Sequence, residues 1–142
     1  MYTIRRNTDS DTPALAEIFL AARVQAFHWL DPSFFEISDF AAKTEGETIY
    51  LAERGDGRPV GFISVWRLES FVHHLYVDPG HQRQGIGSRL LHSLDAWLPR
   101  PYHLKCLVAN HPAREFYRKH GWTEQGRGSD ALGEYLVMEY DG

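Results

Sequence analysis

The sequence predicts a mixed α/β domain, and three observations predict it. Helical and strand-like periodicities alternate along the chain, a glycine-flanked hairpin turn sits near the middle, and one strand runs through a glycine-rich turn into a helix. The first strand is residues 2–6. Asp9, Ser10 and Asp11 then offer N-cap oxygens, Pro13 suits a first helical turn, and Leu15, Ile18, Phe19, Ala22 and Ala26 follow at helical spacing. Residues 27–40 gather Phe27, Trp29, Phe34, Phe35 and Phe40 around Pro32 with no single period, as a broken helix or a loop between two helices. Two strands, 48–54 and 60–67, flank the turn signal Gly55-Asp56-Gly57. Residues 71–77 alternate as a strand and stop at Asp78-Pro79-Gly80. A helix over 85–98 carries Ile86, Leu90, Leu94 and Trp97 on one face. Residues 102–108 form the next strand. Pro112 opens a helix with Ala113, Phe116 and Tyr117, closed by Gly121, and a last strand over 133–140 follows the glycine-rich stretch 126–128.

Composition narrows the function classes. At 142 residues, 43% of them hydrophobic and 24% charged, the chain has the size and make-up of one globular domain, taken as residues 1–142. Net charge is −4, and the 12 Arg and 3 Lys form no basic stripe, so a nucleic-acid partner is not expected. The lone Cys106 makes no internal disulfide, which fits a reducing compartment. The first residues lack an apolar signal core, and no run approaches the roughly 18–20 apolar residues of a membrane span. The expectation is a soluble, cytoplasmic domain without a membrane partner.

The most informative segment runs from Leu75 through Tyr76, Val77, Gln82, Arg83, Gln84, Gly85, Ile86 and Gly87 to Ser88. A strand, a turn with a Gly-x-Gly pair and a helix start place unpaired N–H groups at a helix N-terminus, where the macrodipole favours an anion. Glycine lets a phosphate come close to the main chain, and Arg83 adds positive charge. No Gly-Lys-Ser/Thr ending is present, which excludes a nucleotide triphosphatase loop. A dinucleotide fold would want a third glycine where Leu90 stands.

Gln82-x-x-Gly85-x-Gly87, placed after Leu-Tyr-Val-x-Pro, resembles the acyl-CoA-binding motif of the GNAT superfamily of N-acetyltransferases. Asn110-x-x-Ala113-x-x-Phe116-Tyr117-x-x-x-Gly121-Trp122 is similar to a second segment of that family, with Trp122 where Phe is usual. The resemblance covers essentially the whole chain. It implies a strongly twisted mixed sheet flanked by helices on both faces, and transfer of an acetyl group from acetyl-CoA as cosubstrate to an amine by direct attack. It also implies that Leu75, Tyr76 and Val77 offer backbone groups to the acetyl and pantetheine amides. The segment from Gln82 to Ser88 would cradle the pyrophosphate, Asn110 would bond the pantetheine arm, and Tyr117 would sit beside the thioester sulfur. In such a fold the strand ending at Val77 splays from the strand over 102–108, and the cofactor wedges into the gap.

The chemistry needs an acid and a base. An alkylammonium, with a reference pKa of about 10.4, must lose a proton before it attacks, and the departing thiolate gains from a proton donor such as the Tyr117 phenol. Tyr117 also fits a packing stripe with Ala113 and Phe116. Some family members hold a Glu where Phe71 stands, so that role does not carry over; His73, Glu69 or water remain as the base. No metal is expected, because adjacent His73 and His74 should point to opposite sheet faces and no His-x-x-x-His helix pair is present. Cys106 lies in an apolar strand and reads as a small hydrophobe. The aromatic segment maps to the acceptor-lining region of the family, with His28, Trp29 and Asp31 as substrate-binding candidates. The acceptor, a small molecule or a protein amine, is not legible, and a homodimer is compatible with the family. Two other functions fit the same chain: a non-catalytic acyl-CoA sensor, and a protein-interaction domain that uses the aromatic segment.

Overall fold

A computed structural model describes residues 2–142; Met1 lies outside them. Seven strands form one sheet: β1 (Thr3–Arg6), β2 (Thr48–Glu53), β3 (Pro59–Trp66), β4 (Phe71–Val77), β5 (Tyr102–Leu107), β6 (Thr123–Asp130) and β7 (Gly133–Tyr140). Their order across the sheet is β1-β2-β3-β4-β5-β7-β6, and every neighbouring pair is antiparallel except β4 with β5. Four helices join them: α1 (Thr12–Ala26), α2 (Asp39–Lys43), α3 (Ile86–Ser93) and α4 (His111–Lys119).

Alternation along the central strands explains why both faces are covered. On β2 and β3, Ile49, Leu51 and Phe62 pack against Leu15, Ile18 and Phe19 of α1. Ala52, Ile63 and Val65 pack on the other side against Ile86, Leu90 and Leu94. β3 is accordingly buried along nearly its whole length, as strands sandwiched between helix layers are. The hairpin at Gly55-Asp56-Gly57 forms as expected, closed by Arg54 N–H to Arg58 O at 2.9 Å, with Gly57 at φ +86°.

The structure departs from the sequence reading in two places. Residues 123–130, where the sequence reading noted only the glycine-rich stretch 126–128, are edge strand β6; they pair only with β7 and lie almost wholly exposed, so no burial-driven alternation marks them. The helix over 85–98 is α-helical only to Ser93, whose hydroxyl bonds the Leu90 carbonyl at 2.6 Å, and continues as a 3-10 turn over Leu94–Ala96. The aromatic segment takes the second form the sequence allowed: residues 27–38 are a loop between two helices, holding a 3-10 turn, Pro32–Phe34, and leading into the short α2.

Two irregularities in β4 shape the site. β4 pairs with β5 only at Phe71↔His103 and Val72↔Leu104, so beyond Val72 the two parallel strands part. On its other edge, β4 pairs Ser64↔His74 and then Val65↔Val72, which leaves His73 as the extra residue of a β-bulge.

Candidate active site

Where β4 and β5 part, a cleft of about 430 Å³ opens, walled by β4 and β5 and reached by Asn110 and Tyr117 from α4. Leu75, Tyr76 and Val77 pair with Ile63, Phe62 and Gly61 on one edge, and their other edge faces this gap. Free strand-edge amides and carbonyls beside an open cleft suit an extended amide-bearing ligand.

The turn after β4 is shaped by two left-handed residues, Arg83 at φ +64° and Gly85 at φ +77°. Gly85 is the N-cap of α3, and a Cβ there would meet nothing within 4 Å, so its backbone conformation is what demands glycine. Arg83 holds an uncommon conformation for a residue with a side chain, as functional turns often do. Its guanidinium is exposed and takes no partner among the described residues. The other side chains hold the turn in place. Gln82 Nε2 donates to Gln25 Oε1 at 2.8 Å and to Val77 O at 3.3 Å, and Gln84 Oε1 accepts from the Tyr2 hydroxyl. Ser88 Oγ bonds His120 Nε2 at 2.9 Å, and Ile86 is anchored in the core. What remains for an anion is the backbone N–H groups at the start of α3 and Arg83. At Gly87 a Cβ would meet the Phe116 ring at 3.5 Å and Val77 Cγ2 at 3.9 Å, both ordinary contact distances, so the lack of a side chain lets α3 sit close to α4 and β4.

Asn110 N-caps α4, its Oδ1 accepting from Ala113 N–H at 3.4 Å, and it lines the cleft with its amide nitrogen unspent. Tyr117 is buried with Ala113 and Phe116 beside the core, and it also lines the cleft. The packing role weighed for it in the sequence is therefore met, and the same side chain borders the cleft. Burial pushes its phenol well above the ordinary value near 10, so the hydroxyl keeps its proton at any working pH. Burial likewise pushes the Cys106 thiol up to about 11, which leaves it a poor nucleophile.

The bulge overturns the expectation that His73 and His74 point apart. Their rings stack, centroids 3.8 Å apart and planes 28° apart, on the same side of β4. His74 is buried, and burial first, with the neighbouring His73 second, lowers it to about 3, so its imidazole is neutral; Nε2 lies 3.3 Å from Lys43 O. His73 lies more open on the cleft wall, and its Nδ1 bonds Glu47 Oε2, while Glu47 Oε1 accepts from Ser64 Oγ. Glu47, His73 and His74 thereby bring one possible ligand atom each within 4.8 Å of one another, so the opposite-faces ground for discounting a metal fails. Sequence reasoning missed Glu47, which stands 26 residues from its partner in a loop with no motif.

Glu69 is not on β4 but in the exposed 3-10 turn before it, Arg67–Glu69, and does not line the cleft. The acceptor candidates are also placed elsewhere. Asp31 caps the turn at Pro32–Phe34, accepting from Ser33 N–H at 2.9 Å and Ser33 Oγ at 2.7 Å, which pulls it below the usual carboxylate range. Trp29 donates to Leu132 O at 3.4 Å over a separate shallow pocket, and His28 packs edge-on against Trp29. From the aromatic segment it is Phe27 that reaches the cleft, beside Arg23 of α1. That buried guanidinium lies between the Phe19 and Phe35 rings and pairs with Asp39 at 3.1 Å.

Known proteins resemble this chain in sequence and in fold. The sequence model of the Acetyltransferase (GNAT) family matches residues 12–122. An aminoglycoside N(6')-acetyltransferase type 1 of Stenotrophomonas maltophilia is 33% identical over 67% of this chain and 66% of its own length. An uncharacterized N-acetyltransferase of Methanocaldococcus jannaschii is 26% identical over 87% of this chain and 62% of its own. The chain thus spans less than two thirds of the length of these relatives. The crystal structure of the paiA N-acetyltransferase of Thermoplasma acidophilum, in complex with coenzyme A, superposes with a TM-score of 0.82 at 16% identity, covering 100% of this chain and 99% of that one.

Proposed function

The chain belongs to the acetyltransferase (GNAT) family, and from that premise we propose that it transfers an acetyl group from acetyl-CoA to a primary amine, with Tyr117 as general acid and His73 as general base. One observation carries the reading. β4 and β5 separate beyond Val72, and the cleft this opens is lined by Leu75 and Tyr76 on β4, by Tyr117 and by His73.

Acetyl-CoA supplies the activated acyl carbon as a thioester. The residues present fit it: a free strand edge for the amide-bearing arm, the α3 N-terminus and Arg83 for phosphate, and an Asn110 amide turned to the cleft. His73 takes a proton from the acceptor amine as its nitrogen bonds to the acyl carbon. The carbon–sulfur bond breaks, and Tyr117 donates its hydroxyl hydrogen bond to the sulfur as charge develops there. Because burial raises the phenol, its gap to a thiol of about 8.5 is wider than for an ordinary tyrosine. Tyr117 therefore acts mainly by hydrogen-bond donation, and a full proton is made up from solvent. The raised Cys106 thiol supports direct attack over an acyl-cysteine route.

Release of free CoA thiol from acetyl-CoA across a panel of amines, including small amines, amino acids, aminoglycosides and peptides, tests the reading. The expected result is thiol release that depends on one class of amine. Tight acetyl-CoA binding with no release above the amine-free rate would replace the enzyme by an acyl-CoA sensor. No binding would discard both.

A further inference from the structure

We propose that Glu47 is the positioning residue of His73, fixing the ring with its Nε2 lone pair toward the cleft. The proposal rests on the reading of His73 as base. The side chain of Glu47 is 6% exposed, against 43% for His73, so a carboxylate is buried behind an open imidazole. A buried carboxylate needs its oxygens satisfied, and here both are: Ser64 Oγ donates to Oε1, and His73 Nδ1 lies on Oε2. A carboxylate only accepts, so the Nδ1 hydrogen is the one shared and Nε2 is left as the acceptor.

The bulge makes this possible. With regular pairing, His73 would face a β3 partner across the ladder; unpaired, it swings over His74 and onto Glu47 from the loop before β2. His74, buried and neutral, stacks beneath it as a flat support and adds no charge. Around the pair stand Phe71 at 6.0 Å and, lining the same cleft, Arg23, Lys43, Lys105 and Asp130. Asp130 is the acidic group among these, and it is Glu47, from outside that wall, that bonds the imidazole. A carboxylate behind an imidazole sets its tautomer and orientation, and the imidazole's far nitrogen does the chemistry.

The tautomer is read directly by long-range proton–nitrogen NMR of His73 in the full chain, with no acceptor needed. The wild type should show Nδ1–H, and a shift to Nε2–H should follow both in Glu47→Ala and in Glu47→Gln, whose amide nitrogen donates to Nδ1 when its oxygen keeps the Ser64 hydrogen bond. Acetyl-CoA affinity should stay unchanged in both variants, while kcat with the best amine of the panel falls by about tenfold or more, within the range of general-base effects. Glu47→Gln preserves shape, so it decides where Glu47→Ala unfolds: an unchanged His73 tautomer there overturns the proposal as well. An unchanged His73 tautomer in folded Glu47→Ala overturns the proposal, whatever the rate. A tautomer that moves while kcat holds overturns its catalytic consequence, and His73→Ala then locates the failure. A rate loss in His73→Ala keeps the base and discards Glu47; no loss discards the base reading as well.

Discussion

The two ends of β4 do their work by different physics. At the C-terminal end, Leu75 to Val77 leave one edge open, and the chain turns through Arg83 and Gly85 in left-handed conformations into α3. What that end presents is backbone, and the side chains of Gln82, Gln84 and Ser88 serve to hold it still. At the other end, a single extra residue bulges out, and two imidazoles, a carboxylate and a hydroxyl from three separate segments close on one another. What that end presents is a side chain with a lone pair. Backbone at a helix start binds anions whatever molecule carries them, whereas a positioned imidazole moves protons. On the proposed reading the difference divides labour along one strand: donor binding from Leu75 into the turn before α3, proton chemistry at His73.

If that division holds, changes on the chemical side should move kcat and spare acetyl-CoA affinity, and Tyr117→Phe is the strongest case. The ring keeps its contacts with Ala113 and Phe116, and only the hydroxyl is lost. The expected loss is about 10²–10³-fold in kcat, the size of one lost transition-state hydrogen-bond donor, with acetyl-CoA affinity nearly retained. Since burial holds the phenol far above working pH, the wild-type rate should show no limb assignable to Tyr117 between neutrality and about pH 10. Wild-type turnover by a folded Phe variant would make Tyr117 a packing residue alone; a melting curve recorded beside the kinetics identifies an unfolded variant.

The donor side should answer in the opposite sense, and two glycines separate conformation from packing there. Gly85→Val forces a β-branched residue into φ +77°, which strains the turn by about 1–3 kcal/mol and should weaken acetyl-CoA binding by about tenfold or more. Gly87→Ala adds a methyl at ordinary contact distance from Phe116, 3.5 Å, and should leave affinity within about twofold. Calorimetric titration of both variants decides. Weak binding by Gly87→Ala and normal binding by Gly85→Val would reverse the roles assigned to these positions.

The same division explains which features are legible in the sequence. The donor end is written in consecutive residues, because a turn's conformation is local: Gly85 at the N-cap and Asn110 at the start of α4 each do their work within a few positions. The order of helices and central strands is legible for the same reason, since buried faces impose their period on the chain. The chemical end is half legible. His73 stands out as a titratable residue on a strand, but its orientation depends on a register shift opposite Ser64 and Val65, and no residue type announces a bulge of this kind. Alternation therefore assigns His73 and His74 the wrong geometry. Glu47 is invisible because its partner is 26 residues away. The acceptor candidates His28, Trp29 and Asp31 fail to reach the cleft because the loop spends them on itself and on the β6–β7 hairpin. Strand β6, exposed and glycine-bearing, carries no period to find.

The smallest effect tests whether the bulge has a cost. His74 is held neutral down to about pH 3 by burial, whereas an unfolded chain would protonate it below about 6.5. Between those values the unfolded state binds more protons than the native one, so stability rises with pH across that window and falls on acidification. From pH 7 to pH 5 this one group should cost about 2 kcal/mol, a drop of roughly 5 °C in melting temperature for a domain of this size. The Arg5–Asp11 pair, in which the guanidinium hydrogen bond lowers Asp11 to about 2, acts only below about pH 4 and leaves that interval clear. His74→Phe keeps a flat ring against Phe19, now 4.9 Å from the imidazole, and removes the proton site. Its melting temperature should fall several degrees less than the wild type's over the same step. Equal falls would mean that His74 gains a proton in the folded chain, and the neutral support beneath His73 would then be a charged one.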